Sequence, residues 1–157
     1  MIAAMKNGRK PKVLAISSGG GHWVQLLRLR PAFEGCEVTY ATVREGYRND
    51  VKGAEFHLIP DSNRWNKLAL LKSAFGVLCL LLRVRPDVVV TTGAAPGFFG
   101  VRIGKLMGAR VVWVDSVANA EELSMSGRNV GSFVDLWLTQ WPHLAQDGGP
   151  KFFGSVL

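Results

Sequence analysis

Between Lys12 and Trp23 the chain reads KVLAISSGGGHW: an apolar run, two serines, three glycines and a histidine. Glycines in a strand-to-helix loop accept positive φ and let a ligand come close to the backbone. The open N–H groups of the helix that follows favour phosphate or another anion. His22 stands in the first turn of that helix, where the macrodipole disfavours imidazolium and keeps the ring neutral. A neutral imidazole in a cleft can take the proton of a hydroxyl nucleophile, which is general-base chemistry. The plainer alternative is a ring that closes the loop through a hydrogen bond to backbone. SSGGGHW matches neither GxGxxG nor GxxxxGKS/T, and no acid ends the second strand, where TVRE stands. Neither a dinucleotide fingerprint nor a P-loop is therefore supported.

A second cluster lies in VVWVDSVANAEELSMSGR, Val111–Arg128, where Asp115, Ser116 and Asn119 follow a strand end. Asp115 would share the sheet edge of the glycine loop and could face His22 as a base or a hydroxyl-binding group. Glu121 and Glu122 suit the first turn of a following helix. TTGAAPG, Thr91–Gly97, is a third strand-end loop, in which Gly93 and Gly97 would let a ligand approach closely. Three such loops on one edge make a cleft. No His, Asp, Glu and Cys cluster has ligand spacing, and DxD is absent, so neither a metal nor a cofactor is implied.

Strands expected at Val13–Ile16, Glu37–Val43, Glu55–Pro60, Val88–Val90, Ala109–Ser116 and Val134–Trp141 must position these loops. Helices are expected from Trp23 to an end marked by Pro31, where Val24, Leu26 and Leu27 recur at helical spacing, over 63–85 and over Pro96–Met107, with Gly108 at a C-terminal cap. Alternating strands and short-linked helices predict an α/β fold, a Rossmann-like parallel sheet with helices on both faces. In such sheets ligands bind along the carboxyl edge. The 157 residues, 48% hydrophobic, suit one domain over 12–157, preceded by a flexible basic arm at 1–11. MIAAMKNGRKPK lacks an apolar h-region, which argues against a secretory signal. Cys36 and Cys79 share no ligand spacing and read as reduced, small core residues.

The net charge of +7 is uneven. Residues 1–85 carry +8 and residues 86–157 carry −1, which suggests an anionic partner for the first half. The helical candidate NRWNKLALLKSAFGVLCLLLRVRP is too short and too charged to cross a bilayer. Its apolar stretch Leu68–Leu82 is flanked by Arg64, Trp65, Lys67, Arg83 and Arg85 and broken by Lys72, as an interfacial helix at anionic headgroups requires. A core-packing crossover helix with solvated ends is the alternative. The basic residues are not interleaved with aromatics, so no nucleic-acid partner is expected.

SSGGGHWVQLLRL, PDVVVTTGAAPG, VVWVDSVANAEELSMSGR and DLWLTQWPHL, in that order, resemble the Alg14 family, which includes bacterial PssD and CpsF-type exopolysaccharide proteins. The combination of S-x-V-A-N/R, L-S-x-S/T-G-K/R and Q-W-P carries the resemblance more specifically than the glycine loop. It covers nearly the whole chain from Lys12, and the loop ending in Gly-Gly-His is also similar to the acceptor domain of MurG. The resemblance implies the N-terminal half of a GT-B glycosyltransferase made as a separate chain. That subunit would bind a polyprenyl-diphosphate-linked acceptor and recruit an Alg13-like or PssE-like partner, which carries the UDP-sugar site, to the membrane. It implies peripheral attachment at the cytoplasmic face of the plasma membrane, in surface polysaccharide biosynthesis.

By that match His22 would lie near the acceptor hydroxyl and diphosphate. Ser18, Gly19, Gly20 and Gly21 would shape the loop, Gly93 would line it, and Asp115, Ser116 and Asn119 would form the acceptor-side polar cluster. Eukaryotic members begin with a membrane-spanning helix, whereas this chain begins with the basic arm, so attachment would fall to residues 63–85 or to the partner. FFGSVL at the chain end would serve as a last strand or dock on the missing half. An inert membrane adaptor and a self-sufficient nucleotide-binding enzyme remain the alternatives.

Overall fold

The computed structural model describes residues 8–62 and 65–156. Seven strands form one sheet: β1 (Lys12–Ile16), β2 (Glu37–Thr42), β3 (Glu55–Leu58), β4 (Val88–Thr91), β5 (Arg110–Val114), β6 (Leu136–Thr139) and β7 (Lys151–Phe152). Their spatial order is β3-β2-β1-β4-β5-β6-β7, and every pairing is parallel. Four α-helices connect them: α1 (Gly21–Arg28), α2 (Lys67–Val84), α3 (Ala94–Leu106) and α4 (Met125–Val130).

The central strands carry unbroken apolar runs, VLAI in β1, VVV in β4 and VVWV in β5, because both faces are covered. Alternate residues of β1 enter different cores. Leu14 and Ile16 join Val77, Leu81, Val101, Val111 and Trp113 under α2, α3 and α4. Val13 and Ala15 join Trp23, Leu26, Tyr40, Val51 and Phe56 on the α1 side. The glycines of α3 face the sheet. A Cβ at Gly100 would lie 2.9 Å from Ile16 and one at Gly104 2.8 Å from Val89, so side chains there would push the helix off the strands.

Several expectations change. Val24 is exposed, and α1 instead buries Trp23, Gln25 and Leu26, since the aromatic ring supplies more apolar area to the core. Glu121 and Glu122 stand in an irregular loop, because Ser124 caps the next helix by accepting a hydrogen bond from the Gly127 N–H at 2.8 Å. Cys79 is exposed on the outer face of α2 and Cys36 is half-buried, so neither is a core residue. The end of the basic arm is tied down: Arg9 makes two hydrogen bonds of 2.8 Å to the Asp87 carboxylate, and Pro11 is buried.

Candidate functional site

β1 and β4 are neighbours whose connections run to opposite sides of the sheet, so the crevice of a doubly wound fold opens between their carboxyl ends. The glycine loop follows β1. The Thr42 hydroxyl donates to the Ser18 carbonyl at 3.3 Å, and the Ser17 N–H donates to the Ala41 carbonyl at 3.1 Å, which fixes the loop to β2. Arg44 lies across Gly19, where a Cβ would meet its Nε at 3.0 Å. Gly20 adopts φ 67°, ψ −137°, and its N–H donates to the Tyr47 hydroxyl at 3.0 Å. Tyr47 stacks on Trp23 at 5.2 Å, and the Trp23 indole N–H donates to Asp50 at 2.9 Å. No side chain caps α1, so the N–H groups of its first turn stay open for an anion.

His22 bridges the crevice floor. Its Nδ1 lies 2.7 Å from the Thr92 carbonyl, and the Thr92 hydroxyl donates to the His22 carbonyl at 2.7 Å. A carbonyl only accepts, so Nδ1 carries the proton and Nε2 keeps the lone pair in the neutral ring. The backbone bond expected as an alternative to catalysis is thus present, made to the β4 loop. It also orients the ring. Gly93, at φ 117°, leaves room for the imidazole: a Cβ there would sit 3.1 Å from His22 Cε1. Gly97 opens nothing to a ligand, because a Cβ on it would run into the Thr91 hydroxyl.

Asp115 is 2% exposed. Its Oδ1 accepts from the Ser124 hydroxyl at 2.6 Å, the Ser116 N–H at 3.2 Å and the Asn119 amide at 3.4 Å. Its Oδ2 accepts from the Ser124 N–H at 2.8 Å. The carboxylate therefore ties its own loop to the cap of α4. Gly127 permits this, as a Cβ would stand 2.9 Å from Asp115 Oδ2. The Ser116 hydroxyl accepts from Gln25 at 3.0 Å, and the Asn119 N–H bonds the Ser116 carbonyl.

Sequence reasoning passed over the residues that hold these loops together. Gln25 on α1 and Gln140 after β6 are 5% and 3% exposed and hydrogen-bonded to each other. The Trp141 indole donates to the Val117 carbonyl at 2.8 Å, and His143 Nε2 lies 2.6 Å from the Ala120 carbonyl. The QWPH string is thus a clamp on the Asp115 loop. A glutamine at a helix position otherwise facing the core was the available signal.

Of the basic helix residues, Arg64 lies outside the described residues. Trp65, Lys67, Lys72, Arg83 and Arg85 are exposed, with Arg85 ending α2 at φ 48°. Leu68, Leu71, Phe75 and Leu82 form an outward apolar stripe among them, each more than half exposed. Since β3 is parallel to β1, α2 starts from the same sheet edge as the glycine loop. Among the described residues no helix is long and apolar enough to cross a membrane.

The family model for "Oligosaccharide biosynthesis protein Alg14 like" matches residues 59–156. The chain is similar to the UDP-N-acetylglucosamine transferase subunit ALG14 of Eremothecium gossypii, with 30% identity over 185 residues, covering 96% of this chain and 83% of that protein. The Homo sapiens protein of the same name is 25% identical over 166 residues, covering 85% and 77%. Among solved structures, Acinetobacter baumannii MurG superposes with a TM-score of 0.73 at 15% identity, over 94% of this chain and 46% of MurG. Rickettsia bellii UDP-N-acetylglucosamine 2-epimerase gives a TM-score of 0.70 at 12% identity, with the same 94% and 46% coverage. These likenesses establish the fold, a Rossmann-like half of the GT-B architecture, and the chain spans under half of either protein. The family model over more than half of the chain, joined to a relative 30% identical along nearly all of it, makes this chain a member of the Alg14 family.

Proposed function

We propose that this chain is the acceptor-binding subunit of a two-component glycosyltransferase, whose partner carries the sugar-nucleotide site. The observation that carries the reading is His22, held by its Nδ1 on the Thr92 carbonyl beside the uncapped start of α1. A diphosphate at the open N–H groups would set an acceptor hydroxyl near Nε2, which would take its proton as the sugar is transferred. Gly20 and Gly21, whose Cβ positions are open, give the diphosphate its approach, Ser18 and Gly19 shape the loop under Arg44, Gly93 makes room for the imidazole, and Asp115, Ser116 and Asn119 build the facing wall. Asp115 serves there as a positioning residue, since its oxygens are engaged by Ser116, Asn119 and Ser124.

The donor is a UDP-sugar and the acceptor a polyprenyl-diphosphate-linked glycan of surface polysaccharide assembly. An Alg13-like or PssE-like subunit closes the crevice. The apolar stripe of α2, with Lys67, Lys72 and Arg83 beside it, seats the subunit peripherally on anionic lipid at the cytoplasmic face. That would place the lipid tail of the acceptor near the crevice mouth.

The test is transfer from UDP-N-acetylglucosamine to a polyprenyl-diphosphate acceptor by the chain co-expressed with its partner. His22→Ala should lower kcat by about 100-fold, the scale of one general base. Unchanged turnover would make the subunit an inert adaptor.

A further inference from the structure

Gln25 lies one turn along α1 from the glycine loop, and its carboxamide makes four hydrogen bonds. Nε2 donates to the Gly21 carbonyl at 3.2 Å and to the Ser116 hydroxyl at 3.0 Å. Oε1 accepts from the Val117 N–H at 3.0 Å and from Gln140 Nε2 at 2.6 Å. That fills both donors and both acceptor positions of the amide. Gln140 in turn donates to the Asp115 carbonyl at 2.9 Å and accepts from the Val156 N–H at 2.9 Å. Arg28, also on α1, donates to the Val156 carbonyl at 2.9 Å.

Burying an unbonded amide is costly, and an apolar residue of similar volume would serve a purely packing role at least as well. A fully bonded amide contributes direction instead. Every bond but one joins segments distant in sequence: α1, the loop after β5, the end of β6 and the chain segment after β7. The remaining bond, to the Gly21 carbonyl, grips the residue directly before His22. His22 is held on its other side by Thr92 of the β4 loop. The distance between the imidazole and the Ser116–Asn119 wall is thereby set through Gln25.

We propose that Gln25, braced by Gln140, is the positioning residue that fixes His22 against the acceptor-side loop. This deepens the reading of the chain as an acceptor-binding subunit and depends on it for the kinetic part of its test. Losing the amide would let the two walls drift, and misplacement by about 1 Å costs about 100-fold in rate. It would not touch the partner's sugar-nucleotide site.

The test has two arms. In the co-expressed pair, Gln25→Leu should lower kcat by about 10- to 100-fold while KM for the UDP-sugar stays within about twofold. Gln25→Glu keeps both accepting bonds but sets a carboxylate oxygen against the Gly21 carbonyl, so it should lower kcat as well while holding the Val117 loop closer to its wild-type protection. Gln140→Leu should add little to Gln25→Leu in the double variant, because the two act as one unit. In the isolated full chain, amide exchange at Val117 should quicken about tenfold in Gln25→Leu and less in Gln25→Glu. Should Gln25→Leu lower only the melting temperature and leave kcat intact, the pair is structural and the proposal is overturned. Unchanged exchange at Val117 also overturns it. If the wild-type pair transfers no sugar, the functional reading fails while the exchange arm still decides the positioning. Should Gln25→Leu not fold, Gln140→Leu, which removes the brace on Gln25 without altering the acceptor-side wall, takes its place with a smaller effect in the same direction.

Discussion

Gly93→Ala tests whether the β4 loop really holds the histidine. Gly93 adopts φ 117°, ψ −160°, a region populated almost only by glycine, and occupying it with alanine costs about 1–3 kcal/mol. The new methyl would also stand 3.1 Å from His22 Cε1 and 3.3 Å from Nδ1, so the ring must move. Moving it weakens the 2.7 Å bond to the Thr92 carbonyl, a net loss of about 0.5–1.5 kcal/mol. Together they amount to about 1.5–4.5 kcal/mol of unfolding free energy. Gly20→Ala is the control, because its φ of 67° carries backbone strain while a Cβ there meets nothing within 4 Å. Urea unfolding of both variants, with the His22 imidazole resonances followed by NMR, separates strain from displacement. Gly93→Ala should be the less stable and should shift the ring signals. Equal destabilisation with unmoved His22 signals would refute the reasoning.

Asp115→Ala leaves the N–H groups of Ser116 and Ser124 without their acceptor and should cost about 2–5 kcal/mol in urea unfolding, whereas Ser124→Ala, which loses the cap and the hydroxyl's bond to Asp115 but keeps both of those N–H bonds, should cost about 1–3 kcal/mol. Leu71→Ser with Phe75→Ser alters side chains that are each 68% exposed, so the melting temperature should hold while co-sedimentation with anionic vesicles falls. Burial raises the Asp135 carboxyl pKa, but the Lys105 hydrogen bond, the Val111 N–H and the charges of Lys105 and Arg110 outweigh it, leaving the pKa below the usual value. Its contribution to stability is therefore complete above the ordinary carboxylate range and lost as pH falls through the lower folded value. Asp135→Asn should flatten the acid limb of a stability–pH profile.

The strand-and-helix order was legible because β-branched runs, glycine punctuation and helical spacing are local signals. Val88–Val90 announced a strand buried on both faces, and Gly108, at φ 88°, ended α3 as a cap. The glycine loop and Asp115 were legible as polar breaks after apolar strands. Their roles were not. Whether an aspartate faces a ligand or its own loop depends on which donors reach it, and Ser124 lies nine residues away. The start of α4 was misplaced for the same reason, as acidic residues suited a first turn that Ser124 in fact caps further on.

The sequence alone determined the alternation of elements, the loops that would share the carboxyl edge, and the basic, apolar character of residues 67–85. Only the tertiary structure decided that His22 is set by Thr92 and Gly93, that α2 turns Leu68, Leu71 and Phe75 outward, and that Gln25 meets Gln140 across 115 positions. Local preference comes from each residue and its neighbours. The satisfaction of a buried polar group depends on partners that only the closed sheet brings within hydrogen-bond distance.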